Sequence, residues 1–279
     1  MRSSGTLMCL ASGAAFGAMA IFGKLAYDEG TNVGTLLAAR FVLAAALFWA
    51  LLLAQGTAAR MRSLARRDLG LALALGGCGY AIQAGLYFAA LERIDASLLS
   101  LLLYTFPAMV AVAAVLIGRE RVDGRRVTAL ALASGGLVLV LAGAGTGALD
   151  PLGATLAVSA AVVYTTYILA SDGVAGRVDA RLLATLVCTG AATSLVAGTA
   201  LLGELRPGDV TAAGWGWLAC IAAVSTVGAI ALFFAGLRRV GPTAAAILAT
   251  VEPLVTVLLA FLVFGETLGP VQVLGGLLV

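Results

Sequence analysis

Residues Gly241 to Leu268 read GPTAAAILATVEPLVTVLLAFLVFGETL, an apolar run of membrane-spanning length. At its middle stand Glu252 and Pro253, a carboxylate and a helix-breaker, neither of which hydrocarbon tolerates cheaply. The same layout occurs earlier, from Asp95 to Val122, as DASLLSLLLYTFPAMVAVAAVLIGRERV. One offset, 146 residues, relates Pro107 to Pro253 and Glu120 to Glu266. It extends upstream without a gap, setting YFAALER at Tyr87 to Arg93 opposite FFAGLRR at Phe233 to Arg239. A repeat this long is an architectural unit, so two copies are expected, 1–146 and 147–279. Their first spans match weakly, with Phe16 opposite Tyr164 and the offset drifting to 148.

With 62% hydrophobic and 11% charged residues, the chain cannot present an ordinary soluble surface. Apolar segments of about 20 residues between short charged loops specify helical spans rather than barrel strands. They are expected at 5–26, 32–54, 69–91, 96–117, 127–145, 152–171, 181–203, 212–236 and 242–264, with a tenth opening at Pro270. The tenth has about half the residues a crossing needs before Val279 and is expected to continue beyond it. The first apolar run reads as a retained anchor rather than a cleaved leader. The fold class is therefore all-α integral membrane, with ten transmembrane helices.

The formal net charge of +3 says little about a nucleic-acid partner, and none is expected; where the positive charges lie says more. With the N-terminus inside, Arg2, Arg60, Arg62, Arg66, Arg67, Arg119, Arg121, Arg125, Arg126, Arg177, Arg181, Arg238 and Arg239 face the cytoplasm, against only Arg93 and Arg206 outside. That bias predicts an inside N-terminus, and ten spans return the C-terminus inside. The four cysteines fall in four different spans without ligand-like spacing and read as core filler. The absence of histidine excludes imidazole relays and the usual zinc sites, and no cofactor is expected. No HExxH, GxSxG or Walker-type loop is present, which argues against a membrane enzyme and an intrinsic ATP-driven pump.

Five spans per copy is an odd number, so the second copy enters the membrane with opposite polarity and the repeat is expected to be inverted. Inverted repeats with interrupted helices near the midplane are a recurrent architecture of secondary transporters. Pro107 and Pro253 each remove a backbone donor and release a carbonyl four residues upstream, at Leu103 and Ala249, and are the expected hinges. Glu252 reads either as a structural partner, for instance of Arg40, or as a group that binds substrate or protons. Tyr80, Gln83 and Tyr87 share one helical face, an amphipathic stripe suited to a cavity for an organic solute. Ser97, Ser100 and Tyr104 repeat the idea on the fourth span; Tyr164 and Tyr167 beside Thr165 and Thr166 repeat it on the sixth. The expected substrate-binding set is Tyr80, Gln83, Tyr87, Ser100, Tyr104, Tyr164, Thr165 and Glu252. Arg40 reads as structural, Ser225 and Thr226 as weak cavity candidates, and Trp49, Trp215 and Trp217 as interface anchors.

Ten spans, the paired L-x-x-x-x-P…G-x-E pattern, the ALER and GLRR segments, Lys24 ending the first span and Arg40 within the second resemble the drug/metabolite transporter superfamily. Within it the chain resembles the EamA-type exporters, and most of all the YddG-type amino-acid exporters. The resemblance covers nearly the whole chain, with TVEPLVTVLLAFLVFGETL its most specific part. It implies a ten-helix basket around a central cavity, exporting small metabolites, commonly amino acids. The expected cargo is aromatic and other neutral amino acids and the expected location the bacterial inner membrane, while the short inner loop Arg238 to Pro242 leaves both a monomer and a dimer open. Efflux of lipophilic cations, proton-coupled through Glu252, is the alternative. Small four-span multidrug relatives carry an essential carboxylate in their first helix. Residues 5 to 26 hold none, so their coupling mechanism does not transfer.

Overall fold

A computed structural model describes residues 2–57, 61, 64–117, 124, 128, 131–132, 135–136, 138–139, 142, 150–240, 248 and 251–278. The fifth span, the loop holding Glu120, and the Ala249 carbonyl fall largely or wholly outside these. The helices are α1 (Arg2–Gly17), α2 (Met19–Asp28), α3 (Val33–Ala54), α4 (Arg66–Ala74), α5 (Ala81–Leu91), α6 (Ala96–Leu103) and α7 (Phe106–Leu116). After them come α8 (Pro151–Ala175), α9 (Ala180–Leu201), α10 (Ala212–Ala222), α11 (Ala229–Val240), α12 (Val251–Phe264) and α13 (Pro270–Leu278). Among the described residues six helices are long and apolar enough to cross a membrane: Ser4–Asp28, Val33–Ala54, Arg66–Leu91, Pro151–Ala175, Ala180–Leu201 and Ala212–Phe233. Leu116, Leu201 and Leu277 are 80%, 87% and 77% exposed, a placement that suits lipid and not water.

The span boundaries have local causes. Asn32, Asp179 and Thr211 each accept a backbone N–H in the first turn of α3, α9 and α10, satisfying donors a helix start leaves unpaired. Asp150 does the same for α8, accepting from Leu152 and Gly153, with Pro151 pre-set for the first turn. Gly30, Gly56, Gly203 and Gly265 follow α2, α3, α9 and α12 with φ between 64° and 81°, the left-handed terminator that only glycine adopts without strain.

Among the described residues four spans expected to be continuous are interrupted. The third and eighth each contain one π-helical segment, Leu75–Tyr80 between α4 and α5 and Ala223–Gly228 between α10 and α11. Their positions differ by 148, the drifted offset of the early part of the repeat. The fourth span breaks at Tyr104–Thr105, and Pro107 stands in the first turn of α7 rather than at a kink in one helix. That is where proline costs a helix least, since its missing N–H would have no partner there. The first span has a milder break at Ala18, where Thr256 Oγ1 donates to the Gly17 carbonyl at 3.0 Å.

Packing joins the two copies throughout. α1 lies against α11 and α12, α3 against α9, and α8 against α5, α6 and α7. The tightest joint is glycine on backbone: Gly76 lies on Val187 and Gly190 on Leu73, with no room for a side chain at either place. The cysteines do not form a uniform core set, since Cys9 and Cys188 are buried while Cys220 is half-buried and Cys78 exposed. Trp49 donates to Thr189 Oγ1 at 3.0 Å and Trp217 stacks on Phe22, so both also tie helices together.

Polar contacts sort the loops into two ends of the bundle. At one end Asn32 bonds the Glu204 carbonyl, Thr211 bonds Glu29, and Arg93 pairs with Asp150. The same end holds a cluster in which Lys24 pairs with Glu266 at 2.8 Å and with Asp95 at 3.6 Å. At the other end Arg177 pairs with Asp68 and Arg181 donates to Gln55. Glu266 also accepts from the backbone N–H groups of Ala96 and Ser97 and from Ser97 Oγ, so a carboxylate from the second copy caps α6 of the first.

Burial pushes the Glu266 carboxyl up, but the Lys24 ammonium and the Ser97 and Ala96 N–H groups outweigh it and hold it below its usual range. A group whose pKa is depressed by folding contributes stability above its unfolded pKa and loses it as pH falls through the folded one. Glu266→Gln is therefore expected to lower thermal stability at pH 7 by about 1.5–3 kcal/mol, as for hydrogen bonds to a charged group. The gap between wild type and variant should close as pH drops below the ordinary carboxylate range, about 4. Melting both proteins in detergent across that range checks it, and a gap independent of pH would refute the assignment.

Candidate functional site

A cavity of about 430 Å³ lies inside the bundle, bordered by α1 to α3, the Leu75–Tyr80 segment, α5 to α9, α11 and α12. Tyr80, Gln83 and Tyr87 line it from the third span, the one face their spacing predicts. Tyr104 enters from the break between α6 and α7, Tyr164 from α8 and Glu252 from α12. The structure thus brings together six of the eight residues expected to bind substrate. Ser100 is buried in the bundle away from the cavity lining. Thr165 is also outside it, because its hydroxyl donates to the Ala161 carbonyl of its own helix at 2.9 Å. Ser97 is committed to Glu266, and Thr166 points outward with its hydroxyl on Val162 O.

The tyrosines form a connected wall. Ring centroids stand 5.7 Å apart for Tyr80 and Tyr167, 6.3 Å for Tyr167 and Tyr164, 4.6 Å for Tyr164 and Phe106, and 5.6 Å for Phe106 and Tyr104. At one end Tyr104 OH donates to Glu252 Oε2 at 2.9 Å. At the other, Tyr80 OH accepts from Arg40 Nη2 at 3.2 Å. The Glu252–Arg40 ion pair entertained from sequence is not among the ion pairs of the described residues; Tyr104 takes that place for Glu252. The Glu252 carbonyl packs where the chain has Gly17, and Thr256 Oγ1 reaches both carbonyls. The acid therefore sits where the interruptions of the first and fourth spans meet α12.

Arg40 also lines the cavity, a position its sequence reading as structural did not assign. It is 1% exposed, and its Nε donates to Thr226 Oγ1 at 3.1 Å. Thr226 in turn donates to Ile221 O, five residues back, inside the second π segment. One guanidinium thus joins the two π segments, through Tyr80 in one and Thr226 in the other. The signal was present, since a cation within a span demands partners, but which helices supply them depends on packing that no local pattern encodes.

A second cavity of about 890 Å³ borders Gln55, Asp179, Arg181 and Arg239, and shares Ala180 and Ile230 with the first. The central cavity thus continues toward the arginine-bearing end. The opposite end carries the Lys24–Glu266–Asp95 cluster.

Residues 3–142 and 151–279 each match the EamA-like transporter family. A protein of Bacillus subtilis (strain 168) described as "Uncharacterized transporter YcbK" is 26% identical over 279 residues, covering 98% of this chain and 89% of that one. A solved crystal structure of a protein 20% identical in sequence shares the fold over 100% of this chain and 94% of its own, with a TM-score of 0.66.

Proposed function

The chain belongs to the EamA-like transporter family, and on that premise we propose that it is a secondary exporter of small metabolites, aromatic and other neutral amino acids foremost. The observation that carries this reading is the central cavity, whose tyrosine wall lies between helices of both copies and which holds, among the described residues, one acid, Glu252, and one base, Arg40. Ring faces hold an apolar side chain, and a few polar groups orient it. The alternative cargo, a lipophilic cation, is disfavoured because Arg40 places an equal positive charge in the same space.

Transport proceeds by rocking of two inverted five-helix units, 1–146 and 147–279, about the cavity, with the break beside Pro107 and the position of Pro253 as hinges. Support for the inversion comes from the first spans of the two copies: α2 ends at Lys24's end of the bundle, whereas α8 begins there, beside Arg93, and ends near Asp68. An orientation with both termini cytoplasmic in the plasma membrane is supported by Arg66, Arg67, Arg177, Arg181 and Arg239 at the end toward which the cavity continues. In that orientation cargo would enter from the cytoplasmic end, and the Lys24–Glu266–Asp95 cluster at the opposite end would have to part for release.

Counterflow into proteoliposomes of the purified protein tests the reading. Labelled phenylalanine and other neutral amino acids are expected to exchange and a cationic dye is not. Movement of the dye alone would replace the amino-acid reading with cation efflux, and no movement of either would remove it.

A further inference from the structure

The hydrogen bond between Arg40 and Tyr80 can run in only one direction. Arg40 Nη2 stands 3.2 Å from Tyr80 OH, and a guanidinium carries donors and no acceptor, so the phenol oxygen accepts. Arg40 cannot turn away. It is 1% exposed, its Nε donates to Thr226 Oγ1 at 3.1 Å, and the rings of Phe41 and Phe88 lie 4.8 and 5.5 Å from its guanidinium carbon. Thr226 is fixed in turn, because its own hydroxyl hydrogen goes to Ile221 O. The Tyr80 ring is held edge-on to Phe41 at 5.1 Å and tilted against Tyr167 at 5.7 Å. With its oxygen occupied by Arg40, Tyr80 keeps its hydroxyl hydrogen, and among the described residues no protein group accepts it. Tyr80 lines the central cavity, so the hydrogen is offered there. Tyr104, at the other end of the ring wall, is set the opposite way, since its hydrogen goes to Glu252. A hydroxyl that accepts from a cation is polarised and becomes a stronger donor.

We infer that Arg40 is a positioning residue that acts on cargo through Tyr80: it holds the phenol as a donor, and Tyr80 selects cargo whose side-chain tip carries a hydrogen-bond acceptor. This inference rests on the amino-acid reading above. Tyr80 and Glu252 stand at opposite ends of the ring wall, so the group that meets Tyr80 belongs to the side chain and not to the charged head of the amino acid. The rings between them suit an aromatic side chain, and Tyr80 then reads what that side chain bears at its tip. Arg40 itself touches no cargo; its buried, fully held guanidinium sets which way one hydroxyl faces.

The test measures dissociation constants of a matched pair for the full chain in detergent. O-methyltyrosine has an ether oxygen that accepts and cannot donate, and 4-ethylphenylalanine has nearly the same shape and no acceptor. Wild type is expected to bind O-methyltyrosine about two- to tenfold more tightly, the range of an ordinary hydrogen bond. Tyr80→Phe should bring that ratio to unity. Arg40→Gln should do the same, because the amide oxygen of glutamine can take the Tyr80 hydrogen away from the cavity. If the guanidinium only pins helices, its loss weakens both ligands alike and leaves the ratio intact, which overturns the role of Arg40. Should Arg40→Gln fail to fold, wild type and Tyr80→Phe decide: a wild-type ratio of unity, or a ratio that survives Tyr80→Phe, overturns the inference. Both analogues binding without discrimination removes this inference and leaves the exporter reading standing. Absence of binding by phenylalanine and by both analogues removes the exporter reading itself, and this inference with it.

Discussion

Gly76→Ala is expected to abolish the native packing of the bundle, although it adds one methyl group to a helix. A Cβ at Gly76 would overlap the Val187 carbonyl, and one at Gly190 would overlap the Leu73 carbonyl, so the third and seventh spans touch backbone to backbone. A flexible side chain could swing away from an added methyl, but a helix carbonyl moves only with its helix. Separating these helices would also loosen the cluster of Leu52, Ala72, Val174, Leu182 and Leu186 packed beside the joint. Overpacked cores typically lose about 1–3 kcal/mol, occasionally more, and a backbone neighbour places this site at or above the top of that range. Gly85→Ala is the control, because no described residue lies within 4 Å of a Cβ there. It is expected to be neutral or to stabilise by up to about 1 kcal/mol through helix propensity. Thermal unfolding of the two variants in detergent separates them, and equal melting temperatures would refute the joint.

The contrast between Gly76 and Gly85 also marks the limit of reading such a chain. The repeat was legible because Pro107 and Pro253, with Glu120 and Glu266, keep one spacing that hydrocarbon makes expensive to carry idly. The Tyr80, Gln83 and Tyr87 stripe was legible because its spacing puts three polar side chains on one side of a helix whatever surrounds it. Neither π segment was legible: LGGCGY and AVSTVG carry no signal that one turn will widen, and only their recurrence 148 residues apart marks them as part of the repeat. Ser100 and Thr165 show the opposite limit. A hydroxyl in a span can satisfy itself on its own helix, as Thr165 does on Ala161, so its presence near a polar face does not say where it points. Arg40 needed the fold to be read, because its partners come from residues 40 and 186 positions away.

Glu252→Gln is expected to reduce counterflow of neutral amino acids by about ten- to a hundredfold, the equivalent of a hydrogen bond to a charged group. The amide keeps the size of the side chain and can still bond Tyr104 OH, so the change isolates charge from shape. Glu252 lies where α12 of the second copy meets Tyr104 at the break of the fourth span and Gly17 at the break of the first. A cargo ammonium bound there would join both copies at the place where rocking units must pivot. Tyr104→Phe removes only the neutral partner and is expected to lower transport about fivefold, near the 1 kcal/mol of an ordinary hydrogen bond. If Tyr104 acts through the carboxylate, combining the two changes should add little to Glu252→Gln alone. Multiplying effects would mean that Tyr104 meets cargo separately. Undiminished amino-acid counterflow in Glu252→Gln would reduce this carboxylate to a structural bond on Tyr104, and a loss confined to a cationic dye would hand the cavity to the other class of cargo.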